Sequence, residues 1–308
     1  MSTAPSYAET LAQIAAERPD VVVLTAENRA TIRALPAQLG PRFIDVGICE
    51  QTLVATAAGL ASRGRVPVVH ALAAFLTMRA FEFVRTDLGH ADLPALLVGF
   101  VPGFLSAGNG FTHQAIEDIA LMRLVPNMRI VCPADREELC GALPLLVDSG
   151  APCYLRYHDA DPLCRHNAPF ALGVAESLGE GDDVALLTYG MMLAQSVQAQ
   201  ALLRAEGIAC RVLNLRTLVP LDEAAVLAAL RACRLCVTVE DHLLCGGLAT
   251  QVAELGSQAG LCPQLLPIAL AGRSFVPAPV PDLLVAEAMD GPQLAARIRH
   301  HWTHMGRS

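Results

Sequence analysis

Short, uninterrupted apolar runs alternate with longer amphipathic segments along this chain, and that alternation constrains its fold more than any other feature. Val21–Thr25, Val66–Ala71, Ala95–Val101, Arg129–Cys132 and Cys153–Arg156 read as strands. Between them, Cys49–Ser62, Leu76–Asp87, Gln114–Leu124 and Arg136–Asp148 read as amphipathic helices. A strand with one wet face alternates polar and apolar side chains; these runs do not, so both of their faces must be covered. A parallel sheet wrapped by helices meets that demand. A polar, turn-rich stretch, His158–Pro169, reads as a linker. The pattern then restarts with strands Val184–Thr188, Ala209–Leu215, Leu235–Val239 and Gln264–Ile268. Helices at Met191–Glu206, Asp222–Ala232, Leu248–Ser257 and Gln293–His301 separate and follow them. The expectation is an α/β chain of two doubly wound domains with mostly parallel sheets, residues 1–165 and 166–308.

Composition narrows the function classes. At 308 residues, 53% hydrophobic and 17% charged, the chain is long and apolar enough for two packed cores, which excludes disorder as its main state. Acidic residues outnumber basic ones 30 to 22 and no basic run offsets the deficit, so a nucleic-acid partner is not expected. Leu93–Thr112 carries no charge but holds Pro94, Gly99, Pro102, Gly103, Gly108 and Gly110, which suits a buried strand entering a glycine-rich loop and not a membrane span. The ten cysteines are scattered, and MSTAPSYAET lacks the basic and apolar regions of a signal peptide. Reduced thiols in a cytoplasm are expected. Cys233 and Cys236 form a CxxC without a second pair at zinc spacing, so buried thiols are expected there.

No GxGxxG, GxxxxGK[ST], GxSxG or HExxH occurs. Gly108-Asn109-Gly110 reads as a tight turn. Two polar positions stand out. Glu50 follows Gly47-Ile48-Cys49 and opens a helix of small residues, where a carboxylate serves either chemistry or simply the helix dipole. His113 precedes a helix whose first turn carries Glu117 and Asp118, where it is either a reacting group or part of a polar cluster satisfying free backbone N–H groups. Residue patterns alone leave both readings open.

The strings RFIDVGICEQTLVATAAGLASRG, AAFLTMRAFEFVRTD and GNGFTHQAIEDIALMRLVPNMRIVCPADREEL together resemble the pyrimidine-binding domain of the transketolase family. ALLTYGMM, GIACRVLNLRTLVPLD and VTVEDHLLCGGLATQVAE extend the resemblance to the domain that follows it, so it covers nearly the whole chain. The family holds thiamine diphosphate and Mg²⁺ with a GDG motif and a downstream Asn on a separate domain, and no GDG occurs here. The resemblance therefore implies the C-terminal subunit of a split transketolase. Its partner would be an N-terminal subunit carrying GDG and the Asn, which supplies the diphosphate and metal ligands, in an α2β2-like assembly. Glu50 matches the glutamate that activates the cofactor by hydrogen bonding to N1′ of its pyrimidine. His113 matches a histidine that contacts donor hydroxyls and assists proton transfer. Phe75 matches the aromatic packed on the pyrimidine, with Ile48, Leu72 and Met78 as further apolar contacts.

Departures from the family pattern matter as much. Leu72 and Met78 replace aromatics and Phe111 replaces a proline. The GEDG string that reads donor hydroxyls is Ala107-Gly108-Asn109-Gly110, leaving Asn109 as a neutral contact. Of four positions that grip a sugar phosphate, Arg156 is kept and Thr31 stands where Ser is common. Val101 replaces a His, and Ala4-Pro5 stands where an Arg is expected. Two lost charge-assisted contacts, worth about 1.5–3 kcal/mol each, imply a specialised substrate in place of an ordinary sugar phosphate. The resemblance also admits the β subunit of a 2-oxoacid dehydrogenase, or a non-catalytic subunit that stabilises a partner. THQAIEDIALMRLVPNM favours transketolase over the first, and joint retention of Glu50, Phe75 and His113 argues against the second.

Overall fold

The computed structural model describes residues 5–27, 29–162, 166–272 and 277–305. Its strands run in chain order as β1 (Val21–Thr25), β2 (Phe43–Asp45), β3 (Val66–Leu72), β4 (Ala95–Phe100), β5 (Arg129–Val131) and β6 (Pro152–Arg156). They continue as β7 (Glu176–Leu178), β8 (Val184–Thr188), β9 (Cys210–Asn214), β10 (Thr217–Val219), β11 (Leu235–Leu243) and β12 (Leu265–Leu270). The first sheet has the order β10-β5-β6-β4-β3-β1-β2 and the second β12-β11-β8-β9-β7. Pairing is parallel throughout except for β10 on β5 and β7 on β9. Every residue of β1, β4, β6 and β8 is buried, which is why these strands are apolar without alternation.

Side chains of one face of the first sheet (Val21, Val23, Val68, Leu96, Val98) pack against helices Tyr7–Glu17 and Arg136–Val147. The other face (Val22, Leu24, Val69, Leu97) shares one apolar cluster with Ala185, Leu187 and Leu213 of the second sheet. The two sheets are therefore joined by continuous core. Among the described residues, no helix is long and apolar enough to cross a membrane.

Three features depart from the sequence expectation. β2, β7 and β10 each have three residues, too few for any periodicity to register. The helix expected at Leu76–Asp87 is two π-helical stretches, Phe75–Arg79 and Val84–His90, around a single α turn at Phe81–Phe83; such wide turns insert an extra residue and re-aim side chains, often at functional sites. The helix expected from Gln114 begins only at Asp118, because Gly103 pairs with Ala115 and Leu243 N–H donates to the Ile116 carbonyl (2.9 Å). These bonds hold residues 114–117 as loop.

The stretch read as a linker is not a solvated tether. His166 has a side chain only 3% exposed. Its Nε2 lies 2.7 Å from Asp135 Oδ2 and its Nδ1 2.7 Å from Glu176 Oε2. Asp135 caps a helix of the first half and Glu176 opens β7 in the second, so the imidazolium clasps both halves. These hydrogen bonds push the His166 pKa up to about 11. Arg165, where the division between the halves is expected, and Ala4 lie outside the described residues.

Candidate active site

Glu50, Phe75, His113 and Arg156 all follow the carboxyl ends of first-sheet strands or end one, where open α/β sheets place their ligands. Glu50 is the first residue of helix Glu50–Ala61 and is 3% exposed. The turn before it is pinned from several sides. Asp45, at the end of β2, accepts from Gly47 N–H (2.9 Å), Glu27 N–H (3.1 Å) and Arg29 Nε (2.8 Å). Gly47 adopts φ +74°, a conformation glycine takes without strain.

Arg79 Nη1 donates to Glu50 Oε2 at 2.8 Å. The same guanidinium lies 4.1 Å over the Phe75 ring centroid. Phe75 rests on Ala73, Ala74 and Ala115, and its ring meets that of His113 edge-on at 5.0 Å and 65°. His113 Nδ1 lies 2.9 Å from Thr112 Oγ1. The structure thus brings residues 50, 75 and 113 into one contact chain, linked by Arg79. Sequence reasoning missed Arg79; the available signal was a cation four residues after the aromatic, the first Asp, Glu, Lys or Arg after Arg65. Close in sequence to Glu50, Arg79 and His113 stand three exposed apolar side chains: Ile48 at 72%, Met78 at 40% and Phe111 at 55%. Large exposed apolar side chains grouped beside a buried carboxylate mark a surface awaiting a ligand or a second chain.

Other predicted site residues are placed elsewhere or otherwise engaged. Leu72 is half-buried and packs into the cluster around Tyr7 and Leu11. Thr31 lies beside the Tyr157 phenol, which donates to Asp159 Oδ2 at 3.0 Å. Asn109 is exposed, and its Nδ2 donates to Ser106 Oγ at 3.3 Å. Val101, at φ +49°, is a β-branched residue in the left-handed region, a strain of about 1–3 kcal/mol stored at the end of β4. Arg156, expected to be available to a substrate anion, is already committed. Its Nε donates to Asp118 Oδ2 and its Nη1 to Asp241 Oδ1, both at 2.8 Å, with all three side chains at most 4% exposed.

The buried carboxylate, the aromatic face and the exposed apolar rim suit a pyrimidine ring. Glu50, Phe75, Ile48 and Met78 are the residues that would hold one. For a cation, Glu138, His166 and Glu176 bring three ligand atoms within 4.8 Å of one another. An imidazolium hydrogen-bonded at both nitrogens has no lone pair to give, and Asn214 Nδ2 already donates to Glu138 Oε1 at 2.8 Å. That cluster fits a structural latch and not a metal centre.

Comparison with known proteins places this geometry. The transketolase pyrimidine-binding domain matches residues 1–161 and the transketolase C-terminal domain residues 173–293. The chain is 34% identical over 253 residues to a 6-deoxy-6-sulfo-D-fructose transketolase subunit of Clostridium sp. (strain MSTE9), covering 81% of this chain and 79% of that one. It is 33% identical over 262 residues to an apulose-4-phosphate transketolase subunit of Phocaeicola vulgatus, covering 82% and 83%. Among solved structures, a split-gene transketolase described as an inactive β4 tetramer superposes with a TM-score of 0.84 at 30% identity, covering 96% of each chain. Transketolase from Pichia stipitis in complex with sedoheptulose 7-phosphate shares the fold at 18% identity and a TM-score of 0.76, and this chain spans 47% of it. The chain belongs to the transketolase family, and two of the relatives it matches along most of their length are named as transketolase subunits.

Proposed function

We propose that this chain is the C-terminal half of a two-chain transketolase that moves a two-carbon ketol unit from a ketose donor to an aldehyde acceptor. The observation that carries the reading is the Glu50–Arg79–Phe75–His113 contact chain at the carboxyl ends of the first sheet, bordered by exposed Ile48, Met78 and Phe111. Bound thiamine diphosphate supplies the electron sink for breaking and making the carbon–carbon bond. The protein's own groups do the rest. Glu50, dry and held by Arg79, shares a proton with N1′ of the pyrimidine. Phe75 presents a flat apolar face to that ring. His113, with Nδ1 on Thr112, has Nε2 to move protons at the donor's hydroxyls. The diphosphate and Mg²⁺ fall to the GDG-bearing partner, whose docking covers the exposed apolar rim in an α2β2-like assembly. The division between the halves is placed at 165/166.

The substrate is a specialised ketose whose tail is not gripped as an ordinary sugar phosphate. Val101 offers no donor there, and Arg156 is bound to two carboxylates. Arg29 and Arg79, near the same strand ends, are each paired with an acid. Relatives that act on a sulfosugar and on apulose 4-phosphate, by their names, support a pocket that varies at this end.

The test is reconstitution with the N-terminal subunit. The pair should bind thiamine diphosphate and transfer ketol units, with xylulose 5-phosphate and ribose 5-phosphate as poor substrates. Turnover by the isolated chain, or a pair indifferent to thiamine diphosphate, overturns the reading. Brisk pentose phosphate turnover overturns only the substrate assignment.

A further inference from the structure

We infer that Arg156 is a positioning residue: with Asp118 and Asp241 it fastens the second domain to the loop that carries His113, in place of gripping a substrate anion. The inference rests on the ketol-transfer reading and refines it. Arg156 ends β6 in the first sheet, Asp118 opens the helix after the His113 loop, and Asp241 belongs to β11 of the second sheet. One guanidinium thus ties three elements. Tyr154 OH adds a 2.7 Å bond to the same Asp118 oxygen, and Tyr189 lies beneath the guanidinium at 5.4 Å.

The loop is seated on this clamp by several independent contacts. Gly103 N–H donates to the Ala115 carbonyl at 2.9 Å, closing residues 103–115 into a loop with His113 near its end. Gly103 lies so close to the carboxylate that a Cβ there would overlap Asp241 Oδ2. The residues after Asp241 continue the clasp: His242 Nε2 accepts from Ala120 N–H (3.2 Å) and Leu243 N–H donates to the Ile116 carbonyl (2.9 Å). Phe104, at the loop's start, packs into the core of the second domain. One positive charge facing two buried carboxylates leaves a negative surplus, which repels an anionic tail. Turning Arg156 toward substrate would strand both acids without their partner. The second domain therefore reaches the reacting centre through Asp241, His242 and Leu243.

The test compares Asp241→Asn, Arg156→Gln and the double variant in the assembled pair. Donors are erythrulose, which is uncharged, and fructose 6-phosphate. A positioning role lowers kcat by a similar factor for both donors, about ten- to hundredfold, with KM within about twofold. The double variant is then no worse than the worse single variant. Amide exchange at Gly103, Leu243 and Ala120 speeds up in each variant. The inference is overturned if Arg156→Gln raises KM for fructose 6-phosphate alone while Asp241→Asn alters neither kinetics nor exchange. Asp241→Asn is isosteric, so it reports even where Arg156→Gln fails to fold. Exchange needs no turnover: altered protection in a pair without ketol transfer sinks the proposed function and leaves the clamp standing.

Discussion

The crevice around Glu50 and the seam between the two sheets use the same materials and finish them differently. At the seam, His166 and Arg156 each face two carboxylates at 2.7–2.8 Å and are almost wholly buried. At the crevice, Glu50 is equally buried, but its cation Arg79 is 42% exposed and large apolar side chains stand in solvent beside it. At the seam each cation is paired twice by acids of this chain itself. The crevice is an acid set in an apolar rim that this chain alone does not cover. Buried cations held by two acids each specify how halves meet, whereas a buried acid with one movable partner is ready to exchange it.

The comparison can be broken or sharpened by substitution. Glu50→Gln should cost most. It keeps the shape and loses the shared proton, so ketol transfer by the assembled pair should drop about 10²- to 10⁴-fold while assembly and melting temperature hold; initial rates beside size-exclusion profiles check both halves of that statement. His166→Gln should show the opposite pattern. Stripping Asp135 and Glu176 of the imidazolium they share should cost about 3–5 kcal/mol in denaturant unfolding, with the crevice chemistry of surviving protein intact.

The same latch sets a pH dependence. The folded His166 pKa is raised, so its contribution is complete below the ordinary imidazole value near 6.5 and is lost as pH rises toward about 11. Melting temperature should fall between pH 7 and 10 in the native sequence, and the slope should flatten in His166→Gln. A weaker effect is expected at the rim: Ile48→Asp or Met78→Asp should loosen the partner subunit about ten- to hundredfold in a binding titration. The smallest effect belongs to an exposed ion pair such as Arg18–Asp148, where Asp148→Asn should shift stability by less than about 1 kcal/mol.

Much of this was legible in the sequence because long apolar strands leave a strong signal. β1 and β8 fall at the residues expected, and β3, β4 and β6 within one residue at each end. Glu50, Phe75 and His113 were found through the strings around them, and the structure brings them into contact. Arg79 escaped because the π-helical turn that aims it has no periodic signature. The commitment of Arg156 escaped because its two acids lie 38 and 85 residues away in sequence, and neither separation marks a pairing. Polar residues between His158 and Pro169 read as a tether because composition cannot distinguish a solvated imidazole from a buried one.

β10 carries a consequence of its own. Residues 217–219 are made after β7, β8 and β9 of the second sheet, yet they seal the outer edge of the first by pairing with β5. A product ending near residue 165 would leave Arg129–Val131 with a bare row of backbone donors and acceptors, an invitation to stack on its neighbours. Cutting this polypeptide between its halves would therefore yield no tidy pair of fragments: the front portion waits on a stitch that only the back portion can supply.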